Sequence, residues 1–188
     1  MRLQTPRIAA LSDAELTPEQ LEIVKPVQGT EILNLFRTLV RIPDALSALK
    51  SWGAYVVSRR QGLTLRDAEV IILRTGWLCK SGYEWNQHSR VAERAGFTGQ
   101  EIERIKAGAD APGWTERERA LIRACDDLNA DQHISDASWA GLKAHLTEAQ
   151  CMDLVFLVAQ YTQIAMMLNS FGVQLEAGKT VDPDLRFY

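Results

Sequence analysis

The chain has 188 residues, 46% hydrophobic and 24% charged, the composition of an ordinary soluble globular protein with enough length for one real core. A net charge of −3 leaves no basic excess to neutralise phosphates, which argues against nucleic-acid binding. The three cysteines, Cys79, Cys125 and Cys151, form neither a CxxC pair nor a zinc-type cluster, and fit a reducing cytoplasm.

Residues 1 to about 16 read as an extended arm without the apolar run of a signal peptide. Thr17-Pro18-Glu19-Gln20 then opens a short helix, with Thr17 as N-cap and Gln20 closing a capping box; Gly29-Thr30 ends it. Ile32, Leu33, Leu35, Phe36, Leu39 and Val40 make a short apolar helix stopped near Pro43. Pro43 starts the next helix, through Leu46, Leu49, Trp52, Tyr55 and Val56, and Gln61-Gly62 breaks it.

Thr64-x-x-Asp67 and Ser81-x-x-Glu84 are capping signals for two consecutive helices with a very short connection. On the first, Leu65, Ala68, Ile72, Leu73 and Gly76 form an apolar stripe, with Arg66, Asp67 and Arg74 opposite. Glu69 falls within that stripe. On the second, Trp85, Val91, Ala92 and Ala95 mark the inner face, and Ser81, Glu84 and His88 share it at spacings of three and four. Glu is seldom buried without a partner, and an apolar setting should raise a carboxyl pKa. An acid and an imidazole so placed suit proton transfer.

Ala95-Gly96 closes that helix, and Thr98-x-x-Glu101 opens another that ends at Gly108. Gly108 to Gly113 is the clearest break. Thr115-x-x-Glu118, Ser135 and Thr147-x-x-Gln150 cap three further helices. The apolar run Leu154 to Leu168 is too short for a bilayer span and is interrupted by Gln160, Thr162 and Gln163, so it reads as a core helix and not a membrane anchor. The tail after Gly178 reads as an arm outside the core. No stretch alternates with period two long enough for a strand. The expected fold is therefore all-α, one domain over 1–188 with an arm at 1–16 and a tail at 179–188.

Glu69, the run Tyr83-Glu84-Trp85, His88 and Ala95-Gly96 with Glu101 resemble the carboxymuconolactone decarboxylase family, which shares its fold with the alkylhydroperoxidase AhpD proteins. The resemblance extends more loosely from Asn34-x-Phe36-x-x-Leu39 and Pro43 to Asn169 and Glu176. It implies homotrimers or hexamers with sites near subunit contacts. The hydroperoxidase members carry Cys-x-x-Cys-x-x-x-His; here Ser81 and Glu84 occupy the two cysteine positions. Neither supplies a thiolate or a resolving thiol, so the resemblance does not carry the peroxidase reaction. Cys79, two residues earlier, leaves a lone-thiol peroxidase as an alternative.

The residues then point to a cofactor-free lyase or isomerase on a small carboxylated or lactone-like substrate. His88 is the expected general acid/base, Glu69 its orienting partner and Glu84 a second carboxylate, the two acids pushing their pKa values apart. Tyr83, Trp85 and Trp77 are candidates to wall a pocket for a ring-shaped molecule, with Ser81 and Cys79 nearby and Tyr161 adding a hydroxyl. Glu69, Glu84 and His88 are also acceptable ligands for a divalent metal, although no HxxH or HExxH spacing supports one. A non-catalytic oligomeric binding protein is the third reading.

Overall fold

A computed structural model describes residues 1–25 and 31–186. Among them are nine α-helices, one short 3-10 turn and no strand: α1 (Pro18–Val24), α2 (Asn34–Leu39), α3 (Pro43–Val57), α4 (Leu65–Leu78), α5 (Gly82–Arg94), α6 (Gly99–Ala107), α7 (Glu116–Asp131), α8 (Asp136–Lys143) and α9 (Glu148–Phe171). The capping boxes at Thr17, Thr64, Thr98, Thr115 and Thr147 all form, each hydroxyl accepting from the N3 backbone while the N3 side chain accepts from the cap. Ser135 caps α8. The expected stop at Gly29-Thr30 lies outside the described residues.

The fold is organised around α4, which packs against α5, α7 and α9. Every residue from Asp67 to Gly76 is buried, so the helix has no solvent face opposite its apolar stripe. Two of its charged residues are held by buried pairs instead. Asp67 takes a bidentate pair from Arg117, 2.9 Å from each oxygen. Burial alone would raise the Asp67 pKa, but Arg117 and the Thr64 cap hold it below its ordinary value. Arg74 pairs with Asp126 at 2.6 Å and donates to the carbonyls of Ile105 and Lys106.

Both chain ends correct the sequence reading. Leu11 and Leu16 are buried with Val24, Val40 and Leu46 in a satellite cluster, and the amides of Arg7 and Ile8 donate to the Phe171 carbonyl at the end of α9. The arm is thus packed on the body. At the other end Leu185 is fully buried in the main core, and Lys106 bridges Asp182 and Asp184 at 2.8 and 2.9 Å. Gly82 makes room for both ends: a Cβ there would lie 2.7 Å from the Met1 nitrogen and from Val181 Cγ2.

Helix α9 is 24 residues long, longer than the Leu154–Leu168 run. By length and apolarity it alone among the described residues could cross a membrane, and half of its most apolar window is buried inside the protein. Leu154, Leu157, Tyr161, Ala165 and Leu168 face inward, whereas Met152 and Met166 are exposed.

Candidate active site

The connection between α4 and α5 sets the site. Only Cys79, Lys80 and Ser81 separate the two helices. Lys80 adopts the left-handed region at φ 53°, and the Ser81 amide donates back to the Gly76 carbonyl at 2.8 Å. The chain reverses tightly and α5 packs along α4. Glu69 and His88, 19 residues apart in sequence, then meet: His88 Nδ1 lies 2.9 Å from Glu69 Oε2.

Glu69 is 2% exposed, and the His88 contact is its one side-chain hydrogen bond among the described residues. With Nδ1–H donated to that oxygen, the neutral imidazole keeps its lone pair on Nε2, which has no protein partner among the described residues. The ring is fixed on its other side by Tyr161, edge to face at 5.0 Å between centroids. Burial, and then the charges of Glu69 and Glu84, push the Tyr161 pKa well up, so its hydroxyl stays protonated.

His88 lines a cavity of about 520 Å³, within the range of small-molecule sites. Its polar lining is Lys50, Glu84, Gln87, His88, Gln160 and Tyr161, and most of the rest is apolar, including Leu35, Phe36, Val57, Ile164 and Leu168. Helices α2, α3, α5 and α9 converge here. Glu69 stands behind His88 and outside the lining.

Glu84 is the most unusual group in the site. It is buried, and neither carboxyl oxygen has a partner in good hydrogen-bond geometry, the nearby Ser81 hydroxyl only working against the effect of burial. Burial raises its pKa well above the ordinary carboxylate value, which favours its protonated form. Glu69 is not among the causes: desolvation, and not the expected repulsion between two carboxylates, sets this proton. The capping expectation also fails, since the Ser81 hydroxyl is buried and caps nothing.

The other sequence candidates separate. Tyr83 lines the cavity, but its hydroxyl donates to Glu176 Oε1 at 2.5 Å. Gln87 at 2.6 Å and Lys179 at 2.7 Å hold the other Glu176 oxygen. Trp77 and Trp85 do not reach the cavity lining; they lie 5.7 Å apart with Lys106 Nζ over both rings at 5.4 and 5.5 Å. The reason is register: Trp77 near the end of α4 and Trp85 on α5 both turn toward Lys106 of α6. Cys79 is also absent from the lining, with Sγ 4.0 Å from the Thr162 hydroxyl. Burial first and the Glu84 charge second push its thiol pKa up. Cys125 is fully buried and pushed up to about 12. Among the described residues no group of three or more His, Cys, Asp or Glu is arranged to hold a metal ion.

Sequence reasoning missed Lys50 and Gln160. Lys50 lies four residues after buried Leu46 on α3, and Gln160 precedes Tyr161 inside an apolar run, 3% exposed with its Oε1 unpartnered. Each placement puts a polar group on an inward face and was a usable signal.

Residues 43–127 match the sequence profile of the carboxymuconolactone decarboxylase family. No curated relative matches the sequence. Three solved structures share the fold. The alkylhydroperoxidase AhpD core of an uncharacterised peroxidase-related protein from Ralstonia eutropha JMP134 superposes with a TM-score of 0.78 at 19% identity, covering 90% of this chain and 93% of that one. A variant of the debrominase Bmp8 in complex with 2,3,4-tribromopyrrole gives 0.77 at 14% identity, covering 93% and 94%. An uncharacterised peroxidase-related protein from Silicibacter sp. TM1040 gives 0.75 at 15% identity, covering 94% and 92%.

Proposed function

We propose that this chain, which carries a carboxymuconolactone decarboxylase family region over residues 43–127 on an AhpD-like fold, is a cofactor-free acid/base lyase or isomerase. Its substrate is a small carboxylated or lactone-like molecule held in the cavity between α3, α5 and α9. The observation that carries this reading is the buried Glu69 that fixes His88 Nδ1 at 2.9 Å while the same ring lines a mostly apolar cavity. An acceptor on Nδ1 sets the tautomer and leaves Nε2 to take or return a proton.

In a decarboxylation, the bond between the substrate carbon and its carboxylate breaks, CO₂ departs, and the electron pair passes into an adjacent carbonyl as an enolate. The proton on Glu84 stabilises that oxygen through a charge-assisted hydrogen bond, which the dry surroundings strengthen. His88, having first taken a proton from solvent at Nε2, then delivers that proton to the substrate carbon, and the carbonyl re-forms. In an isomerisation, the same imidazole removes a proton beside the carbonyl and delivers it elsewhere. Both balance without an oxidant, a metal or a thiol.

The peroxidase reading needs a reactive thiol. It loses support because Cys79 is outside the cavity lining, has a raised pKa and has no second cysteine beside it. Self-association into a trimer or hexamer is part of the same proposal. The exposed Met152 and Met166 on the outer side of α9 and Ile42 and Trp52 near α3 supply apolar surface for it, and light scattering on the eluted protein tests it. For the reaction, the test is a panel of small lactone acids incubated in D₂O with wild type and His88→Asn. Carbon-bound deuterium or CO₂ release with wild type only supports the reading; equal activity of both proteins defeats it.

A further inference from the structure

One charged cavity-lining group has no role in the chemistry above. Lys50 projects from α3 into the lining, half-buried, and donates to the Ile23 carbonyl while its Nζ stands 5.8 Å from the Phe36 ring centroid. Among the described residues it has no carboxylate partner. The other buried or half-buried lysines do: Lys106 holds Asp182 and Asp184, and Lys179 holds Glu176. A cation at the edge of an apolar cavity without a counter-ion is poised for an anion that arrives with the ligand.

The position is close to the reacting groups. Lys50, Gly53, Ala54 and Val57 share one face of α3, and all four line the cavity. Gly53, one turn or about 5.4 Å from Lys50, has no side chain, and a Cβ there would lie 3.7 Å from Gln160 Nε2. Gln160 is buried with its carbonyl oxygen unpartnered and adjoins Tyr161, whose ring packs on His88. Among the described residues Lys50 is the only lysine or arginine in the lining, and the one carboxyl there is Glu84. A second carboxylate would therefore find no second lysine or arginine to pair with.

Resting on the acid/base reading of this cavity in its isomerase form, in which the substrate keeps its carboxylate, we infer that Lys50 anchors a single carboxylate, so that the site takes an amphipathic monocarboxylate and rejects both its neutral isostere and the corresponding dicarboxylate. The apolar body of the ligand lies against Phe36, Leu35 and Ile164, and its polar group reaches Gln160, Glu84 and His88.

Three rigid probes of nearly equal shape test this by calorimetry at pH 8, above the ordinary titration range of an imidazole: 2-naphthoate, 2-naphthamide and 2,6-naphthalenedicarboxylate. Wild type is expected to bind 2-naphthoate at least about tenfold more tightly than either other probe, the worth of one charge-assisted contact. Lys50→Met should bring 2-naphthoate to the affinity of the amide while leaving the amide unchanged, and Lys50→Arg should restore most of the difference. Equal affinities for naphthoate and amide in wild type overturn the inference, and that comparison needs no variant to fold. Unchanged naphthoate affinity in Lys50→Met overturns it as well. Failure of the acid/base reading shows elsewhere, as turnover surviving in His88→Asn with these affinities intact.

Discussion

Replacing Glu84 with glutamine tests the protonation state on which the chemistry depends. In the folded protein its pKa is raised because burial disfavours the charged form; in the unfolded chain it titrates as an ordinary carboxyl. Between those two values the folded state holds one more proton than the unfolded state, so stability falls as pH rises. Its contribution is fully present below the unfolded pKa and is lost progressively up to the folded one. Each pH unit in that window costs about 1.4 kcal/mol. For a chain of this length that is roughly 3 to 6 °C in Tm per unit. Glutamine keeps the shape and cannot ionise, so Glu84→Gln should lose this slope and become progressively more stable than wild type as pH increases from 5. Urea unfolding of both proteins across pH 5 to 8 measures the difference, and titration of all other groups cancels in it. Parallel pH profiles would mean that Glu84 is ionised and solvated, and the neutral-acid role would fall.

Further predictions follow from the same geometry. Glu69→Gln should release the His88 tautomer, seen as a shift of the imidazole ¹⁵N resonances away from the Nδ1–H pattern. It should also lower turnover by roughly a hundredfold or more; unchanged ring shifts would show that Glu69 does not orient the ring. Cys79 should alkylate with iodoacetamide at least about tenfold more slowly than free cysteine at pH 8, because burial raises its thiol pKa. Fast labelling would reopen the thiol reading. Leu185→Ala should cost roughly 2 to 5 kcal/mol of unfolding free energy, since that side chain is fully buried in the main core. A loss below about 0.5 kcal/mol would place the C-terminal segment outside the cooperative unit.

Much of the architecture was legible because it is written locally. Thr17, Thr64, Thr98, Thr115 and Thr147 each stand three residues before a side chain that reaches back, and all five caps form. Glu69 and His88 stood out because each interrupts an apolar face, and the two side chains are brought together. Ser81 and Glu84 have the same spacing as a cap, yet Glu84 turns into the protein interior. Sequence spacing alone does not separate a cap from a buried acid. Leu185 was unreadable for a different reason: an isolated leucine beyond Pro183 has no periodicity, and the pairs of Lys106 with Asp182 and Asp184 that flank it join residues far apart in sequence. Trp77 and Trp85 carried the right chemistry for a pocket wall, but which side of a helix meets a cavity is decided by packing partners distant in sequence.

The central claim is that protons move through His88, held by Glu69, without sulfur. Solvent-deuterium incorporation into a lactone acid that the wild type turns over, compared in Cys79→Ala and His88→Asn, tests it most directly. The expected result is a wild-type rate in Cys79→Ala and a loss of about a hundredfold or more in His88→Asn. The reverse pattern would contradict it.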